Sequence, residues 1–153
     1  NRSELGLNIA ASVVGGEIAW LSKLKLIKML PTGTTVGNIA GKVISFGKYL
    51  PEDFTPSSKS IKNDIGVPDD WITKPAKDGI GVRYSDPNNS GNHIRVMAGK
   101  SDAEFDVSKN PYVVRYSNGS PVDRDGAKIP NSTESNKNKS SALHTPLKGY
   151  KMK

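Results

Sequence analysis

Residues 92–100, NHIRVMAGK, set the strongest constraint on what this chain can fold into. Side chains alternate there: His93, Arg95 and Met97 fall on one side, and Ile94, Val96 and Ala98 on the other. That period of two belongs to a half-buried strand. Turn chemistry brackets it, with Asp86-Pro87-Asn88-Asn89-Ser90-Gly91 before and Gly99 after. Such a strand anchors an apolar face in a core while an imidazole and a guanidinium project together from the other. The remaining chain is expected to complete and cover it.

The neighbouring segments repeat the pattern. Residues 79–85, GIGVRYS, alternate with Gly81 and Arg83 on one face and Val82 and Tyr84 on the other. Residues 111–117, PYVVRYS, read as a third strand, with Asn118-Gly119 as the turn behind it. A short fourth is expected within residues 122–129, around Arg124-Asp125-Gly126. Residues 131–141 are polar low-complexity sequence and read as a loop, and residues 143–153 as a last strand returning to the sheet. The C-terminal half is therefore expected to be an antiparallel sheet with few helices.

The first half reads differently. Residues 5–14 are small and apolar, ended by Gly15-Gly16; residues 17–30 place Trp20, Leu24 and Ile27 on one stripe. Pro31-Thr32-Gly33 stops that helix. Thr34 or Thr35 caps a next one, in which Val36, Ile39, Ala40, Val43 and Leu50 recur at helical spacing. Gly37 and Gly41 would allow close helix approach. These helices read as a packed hairpin, or alternatively as a cationic amphipathic hairpin that touches a membrane. Residues 51–66 carry two prolines, serines and mixed charge and read as a linker. The expected organisation is α+β: a helical segment with its linker over residues 1–66, then a small antiparallel-sheet domain over residues 67–153.

At 153 residues the chain suits one domain or two small ones. No stretch reads as a signal peptide, and none of about 20 apolar residues could cross a bilayer. The chain opens at Asn1 and is read as a piece of something longer. Zero cysteines exclude disulfides and thiolate metal sites. The net charge of +7 points to a polyanion partner, nucleic acid or an anionic membrane. The tail sharpens this: after Ala127, Lys128, Lys137, Lys139, Lys148, Lys151 and Lys153 face Glu134 alone.

His93 and His144, the two histidines, both lie beside strand-like segments with cationic neighbours. Histidine takes and gives protons near neutral pH. Metal-independent RNA cleavage needs a base for the 2′-hydroxyl proton, an acid for the leaving 5′-oxygen, and cations or hydroxyls for the charge on phosphorus. Other chemistries lack their residues: no H-E-x-x-H spacing, Walker loop or nucleophile elbow is present. The bland alternative is two surface or structural histidines in a basic domain.

The stretches GIGVRYSDPNNSGNHIRVMAGK, NPYVVRYSNGSPVDRDGAKIP and ALHTPLKGYKMK resemble the C-terminal toxin domains of bacterial polymorphic toxins, among them effectors of contact-dependent growth inhibition. The matching positions are Tyr84, Asp86-Pro87-Asn88, Gly91-Asn92, Ile94 to Met97, Gly99, Pro111 to Val113, Asp123 to Gly126 and His144 to Leu147, and the resemblance covers residues 67–153. Threonine stands at Thr145 where isoleucine is common, and carry-over rests on Arg95 and His144 before His93. The resemblance implies an RNase on a barnase-, colicin- or RelE-like fold. It also implies delivery as the tail of a large secreted effector, entry into a target bacterium through the inner membrane or an importer, action in its cytoplasm, and a cognate immunity protein.

The expected assignment follows. His144 is the main acid/base group, Arg95 holds the scissile phosphate, His93 is the second proton carrier, and Thr145 contributes a hydroxyl. Arg83, Lys100, Arg115 and Lys148 grip the RNA, expected to be tRNA or rRNA, and Tyr84 and Tyr116 stack bases, with at least one of the two alternatively a core residue. No metal or cofactor is expected. The rival readings are a membrane-active effector working through residues 5–50, and a nucleic-acid-binding module without catalysis.

Overall fold

The computed structural model describes residues 19–25, 27–77, 79–129 and 143–153. The helix expected over residues 5–14 and the loop expected over residues 131–141 lie outside the described residues.

The sheet expected in the second half is present. Strand β5 (Gly81–Asp86) pairs antiparallel with β6 (Asn89–Met97), which pairs antiparallel with β8 (Tyr112–Ser117). Outside β5 lies β4 (Ile72–Pro75). The far edge of β8 is shared: β10 (Thr145–Pro146) pairs with its first residues and β9 (Ser120–Val122) with its last. Alternation fixes the faces. Val82, Tyr84, Ile94 and Val96 are each 0% exposed and point one way. Arg83, His93 and Arg95 point the other.

The first half departs from expectation. Among the described residues before Pro51, helix is confined to a short α1 (Ala19–Lys23). The chain then forms β1 (Ile27–Met29), β2 (Thr35–Ile39) and β3 (Lys42–Gly47). These make a second antiparallel sheet, completed by β7 (Gly99–Lys100) against β3. The helical hairpin expected over residues 34–50 is thus a β-hairpin. Ala40 (φ 51°) and Gly41 (φ 81°) are both left-handed at its tip, as a two-residue type I′ turn requires, and the Asn38 side chain accepts the Gly41 N–H at 3.1 Å. Gly41 therefore makes a turn and has no helix–helix contact to serve. Val36, Ile39, Val43 and Ile44 are β-branched, which suits a pleated surface.

Residues 51–66 are structured. A one-turn 3-10 helix (Pro51–Phe54) and α2 (Ser60–Ile65) occupy them. Gly66 closes α2 in the left-handed conformation, its N–H returning to the Asn63 carbonyl. Phe54, Ile61 and Ile65 are buried. They join Ile44 and Phe46 of β3 in one hydrophobic cluster with Val82, Tyr84, Ile94, Val96, Val113, Leu147 and Tyr150. The core thus lies between β3 and α2 on one side and the inner face of the larger sheet on the other. Each fully buried side chain of this size contributes about 1.5–3 kcal/mol. The packing runs through residues 51–66 without a break. The observed class is α+β, with few helices and antiparallel sheets.

Candidate functional site

The outer face of the larger sheet carries the candidate residues, and the strand registers set their places. Arg83 on β5 is paired with Arg95 on β6, which is paired with Val114 on β8. In the next row on that face, Ser85, His93 and Tyr116 stand side by side. Toward the other end, Gly81, Met97 and Tyr112 form a third row. Thr145 is paired with Val113, so His144 falls beside Val114 on the outer face, and Thr145 shares the side of the buried Val113.

Two polar turns hold the His93 end in place. Asp86 Oδ1 accepts the Asn88 N–H at 2.9 Å, and Asn89 Oδ1 accepts the Gly91 N–H at 3.0 Å. The neighbouring Asn118-Gly119 turn docks on them: Asn92 Oδ1 accepts the Asn118 N–H at 2.9 Å, Asn118 Oδ1 accepts from Asn89 Nδ2 at 2.9 Å, and the Gly91 carbonyl accepts the Gly119 N–H at 3.0 Å. A Cβ on Gly91 would stand 2.7 Å from the Gly119 nitrogen. The DPNNSGN stretch is therefore a clasp between two hairpins.

The His93 ring stacks on Tyr116, with centroids 4.7 Å apart and planes 17° from parallel. Its Nδ1 lies 3.3 Å from the Ser90 carbonyl oxygen. A carbonyl only accepts, so Nδ1 carries the proton in this bond and Nε2 keeps a lone pair. Burial lowers the pKa; the Ser90 bond raises it, and the charges of Arg83 and Arg95 lower it again. His93 is thus neutral at pH 7, the form in which it takes a proton.

At the opposite end, His144 meets Tyr112 edge to face at 4.8 Å, the planes 64° apart. Burial raises the Tyr112 hydroxyl, and Arg95 pulls it back. Arg95 is therefore within electrostatic reach of both His93 and Tyr112. Its Nε is buried without a hydrogen-bond partner among the described residues. The Val114 side chain beside it is 0% exposed. Tyr112 was not among the sequence candidates. Its signal was legible, because Tyr112, Val114 and Tyr116 alternate onto one face.

The two histidines share a face but do not touch. Two residues along the strands and two strands across separate their Cα atoms by about 12 Å. Each ring leans on its own tyrosine, with Arg95 between.

Other expected residues lie elsewhere. Tyr84 is fully buried, so its ring is not available to stack on a base. Arg115 pairs with Ile94 and Val122 on the inner side of the sheet, away from Arg95. Lys100 lies on β7 in the smaller sheet, exposed, and Lys148 is exposed after β10.

The electrostatics of the face are one-sided. The described residues hold three ion pairs, Lys48–Asp64, Lys109–Asp106 and Lys153–Asp125, and none lies here. Arg83 donates to Ser85 Oγ at 3.2 Å and has no carboxylate partner among the described residues. No three His, Asp or Glu side chains converge among the described residues in a way that would hold a metal ion. The arrangement can hold an anion against two guanidinium groups and exchange a proton with it at His93. No family model, curated protein or solved structure matches this chain.

Proposed function

We propose that the outer face of β5, β6 and β8 binds RNA and cleaves it without a metal ion. One observation carries this reading: Arg83 and Arg95 are register partners with no carboxylate partner among the described residues, and His93, whose Nδ1 faces the Ser90 carbonyl, stands in the next row. A phosphodiester supplies the missing negative charge. His93 takes the 2′-hydroxyl proton, the freed oxygen attacks the adjacent phosphorus, and Arg95 and Arg83 hold the negative charge that builds on its oxygens. The P–O5′ bond breaks, and the 5′-oxygen takes a proton from His144 on the other side of Arg95. The products are a 2′,3′-cyclic phosphate and a 5′-hydroxyl. Tyr116 and Tyr112 present ring surface at either end for unpaired bases.

The resemblance of residues 67–153 to polymorphic-toxin domains supports a wider proposal: an antibacterial toxin, the tail of a secreted effector, acting on RNA in the target cytoplasm and restrained by an immunity protein. That partner would cover the Arg83–Arg95 face with acidic side chains.

A second reading is RNA binding without cleavage. It is favoured by the separation of the two imidazoles, each on its own tyrosine. One experiment tests both. The purified full chain is incubated with total cellular RNA in EDTA, beside its His93→Ala and Arg95→Met variants. Discrete cleavage lost in both variants supports the ribonuclease. RNA retained but intact, with retention lost in Arg95→Met, leaves the binding module. RNA neither bound nor cut removes both.

A further inference from the structure

A second cationic site lies on the other side of β8. A pocket of about 380 Å³ is lined by Arg124 and Asp125 on one side and by Gly149, Tyr150, Lys151 and Lys153 on the other. Both walls are fixed by hydrogen bonds. Asp123 Oδ1 accepts the N–H groups of Asp125 and Ala127 at 2.9 and 3.0 Å, and the Gly126 N–H returns to the Asp123 carbonyl at 3.0 Å. Opposite, the Tyr150 N–H donates to the Leu147 carbonyl at 3.0 Å and the Met152 N–H to the Ile65 carbonyl at 2.8 Å.

Arg115 reaches this region from the sheet. A Cβ on Gly126 would stand 3.5 Å from its Nη1. Burial raises the Tyr150 hydroxyl, and the charges of Arg115 and Arg124 pull it back, so both guanidinium groups are felt there. Arg115 also acts on the Tyr150 hydroxyl as a hydrogen-bond donor, but the contact is loose: neither Arg115 Nη1 nor the hydroxyl of Tyr150, a residue only 4% exposed, closes a hydrogen bond of good geometry among the described residues. Buried polar atoms are paired in roughly nine cases of ten, and an exception calls for an explanation.

The charge balance supplies one. Asp125 is the pocket's carboxylate, and Lys153 Nζ already engages it at 3.3 Å. Lys151 Nζ donates to the Asp64 carbonyl. Arg124 and Arg115 have no carboxylate partner among the described residues. Two guanidinium groups and a hydroxyl donor fit an anion with several acceptor oxygens. We propose that this pocket binds a phosphate group, held by Arg124 at the rim and by Arg115 and the Tyr150 hydroxyl below. The site stands apart from the Arg95 face and does not depend on its catalytic reading.

The test is an amide NMR titration of the full chain with inorganic phosphate. Saturable shifts are expected at Gly126, Gly149 and Tyr150. Arg124→Gln, a change at an exposed side chain, should weaken them about tenfold, the scale of one charge-assisted hydrogen bond. Tyr150→Phe should weaken them less, and Arg95→Gln should leave them in place. Equal responses in wild type and Arg124→Gln, or an equal response to chloride at matched ionic strength, would overturn the proposal. Short DNA strands with and without a 5′-phosphate, which lack the 2′-hydroxyl nucleophile, identify the source. If the phosphorylated strand saturates the pocket below the concentration that inorganic phosphate needs, the ligand is a nucleic-acid end. If both strands do so, it is a backbone phosphate. If neither does and inorganic phosphate still saturates it, the ligand is a small free phosphate compound.

Discussion

Arg83 and Arg95 stand directly opposite each other across β5 and β6, two like charges in one register pair. Such a pair opposes folding by a few tenths of a kcal/mol or more, about the magnitude by which an opposite-charge pair would help. Arg95 adds a buried Nε without a partner among the described residues. On the proposed reading, a bound polyanion relieves this repulsion, since no carboxylate among the described residues does so.

The consequence is a mutation with opposite effects on stability and binding. Arg95→Met keeps an apolar stem over Val114 and removes the charge. Its midpoint of thermal unfolding should equal or exceed that of wild type, while RNA affinity falls about tenfold or more. A melting curve and a filter-binding titration measure the two. A lower midpoint with unchanged affinity would contradict the account of this face.

The pH dependence follows from His93, whose pKa lies below the ordinary 6.5 in the folded chain. On acidification the unfolded chain takes the proton first. Stability therefore falls as pH drops through 6.5, and the loss levels off below the folded value. His93→Gln should remove this part of the dependence, as read from thermal midpoints between neutral pH and about pH 5. The acid limb of kcat/KM for RNA cleavage should likewise fall below 6.5. An acid limb clearly above that value would rule His93 out as the base.

Lys62 is 5% exposed, and its Nζ donates to the carbonyls of Asp69 and Trp71 at 2.9 and 2.7 Å. Lys62→Met fills the same space and leaves two acceptors unpaired. Urea unfolding should show a loss of about 2–4 kcal/mol. RNA binding should hold at temperatures where the variant is folded, because α2 lies on the core side of the sheet.

Residues 67–153 expressed alone should not fold. They would lack Ile44, Phe46, Phe54, Ile61 and Ile65, which cover the inner face of the larger sheet. Circular dichroism and dye binding of that piece should report an unfolded or aggregating chain, whereas residues 19–153 should fold in one transition. A cooperative melt from the shorter piece would show that the larger sheet stands by itself.

The strands carrying the site were legible because one face of each is buried and the other polar. His93 and Arg95 were assigned to one face of their strand from alternation alone, and Arg83 to the face of its own strand opposite Val82 and Tyr84; the register joins the two faces. The Asn118-Gly119 turn was legible too, since asparagine and glycine both tolerate positive φ. The first sheet was missed for the same reason inverted. Ala40 sits at φ 51°, where alanine is rarely found, so nothing marked a hairpin between β2 and β3. Val36, Ile39 and Val43 meanwhile satisfied helical spacing by coincidence. Of Tyr84 and Tyr116, Tyr84 is the one that falls in the core. Its alternation with Val82 already assigned it to the core. The separation of His93 from His144 depends on where β10 meets β8, a pairing with no local signal.

β6 and β7 are nearly one strand. The chain leaves the larger sheet at Met97, turns through Ala98, and enters the smaller sheet at Gly99, where a Cβ would stand 2.5 Å from the Lys109 backbone. This stretch behaves as a tie rod between two plates. Tension that peels β3 away from β7 reaches the Arg95 position within a few residues, with no slack loop to absorb it. The face that carries Arg83 and Arg95 should therefore lose its shape as soon as the small sheet is pulled off, well before the larger sheet itself comes apart.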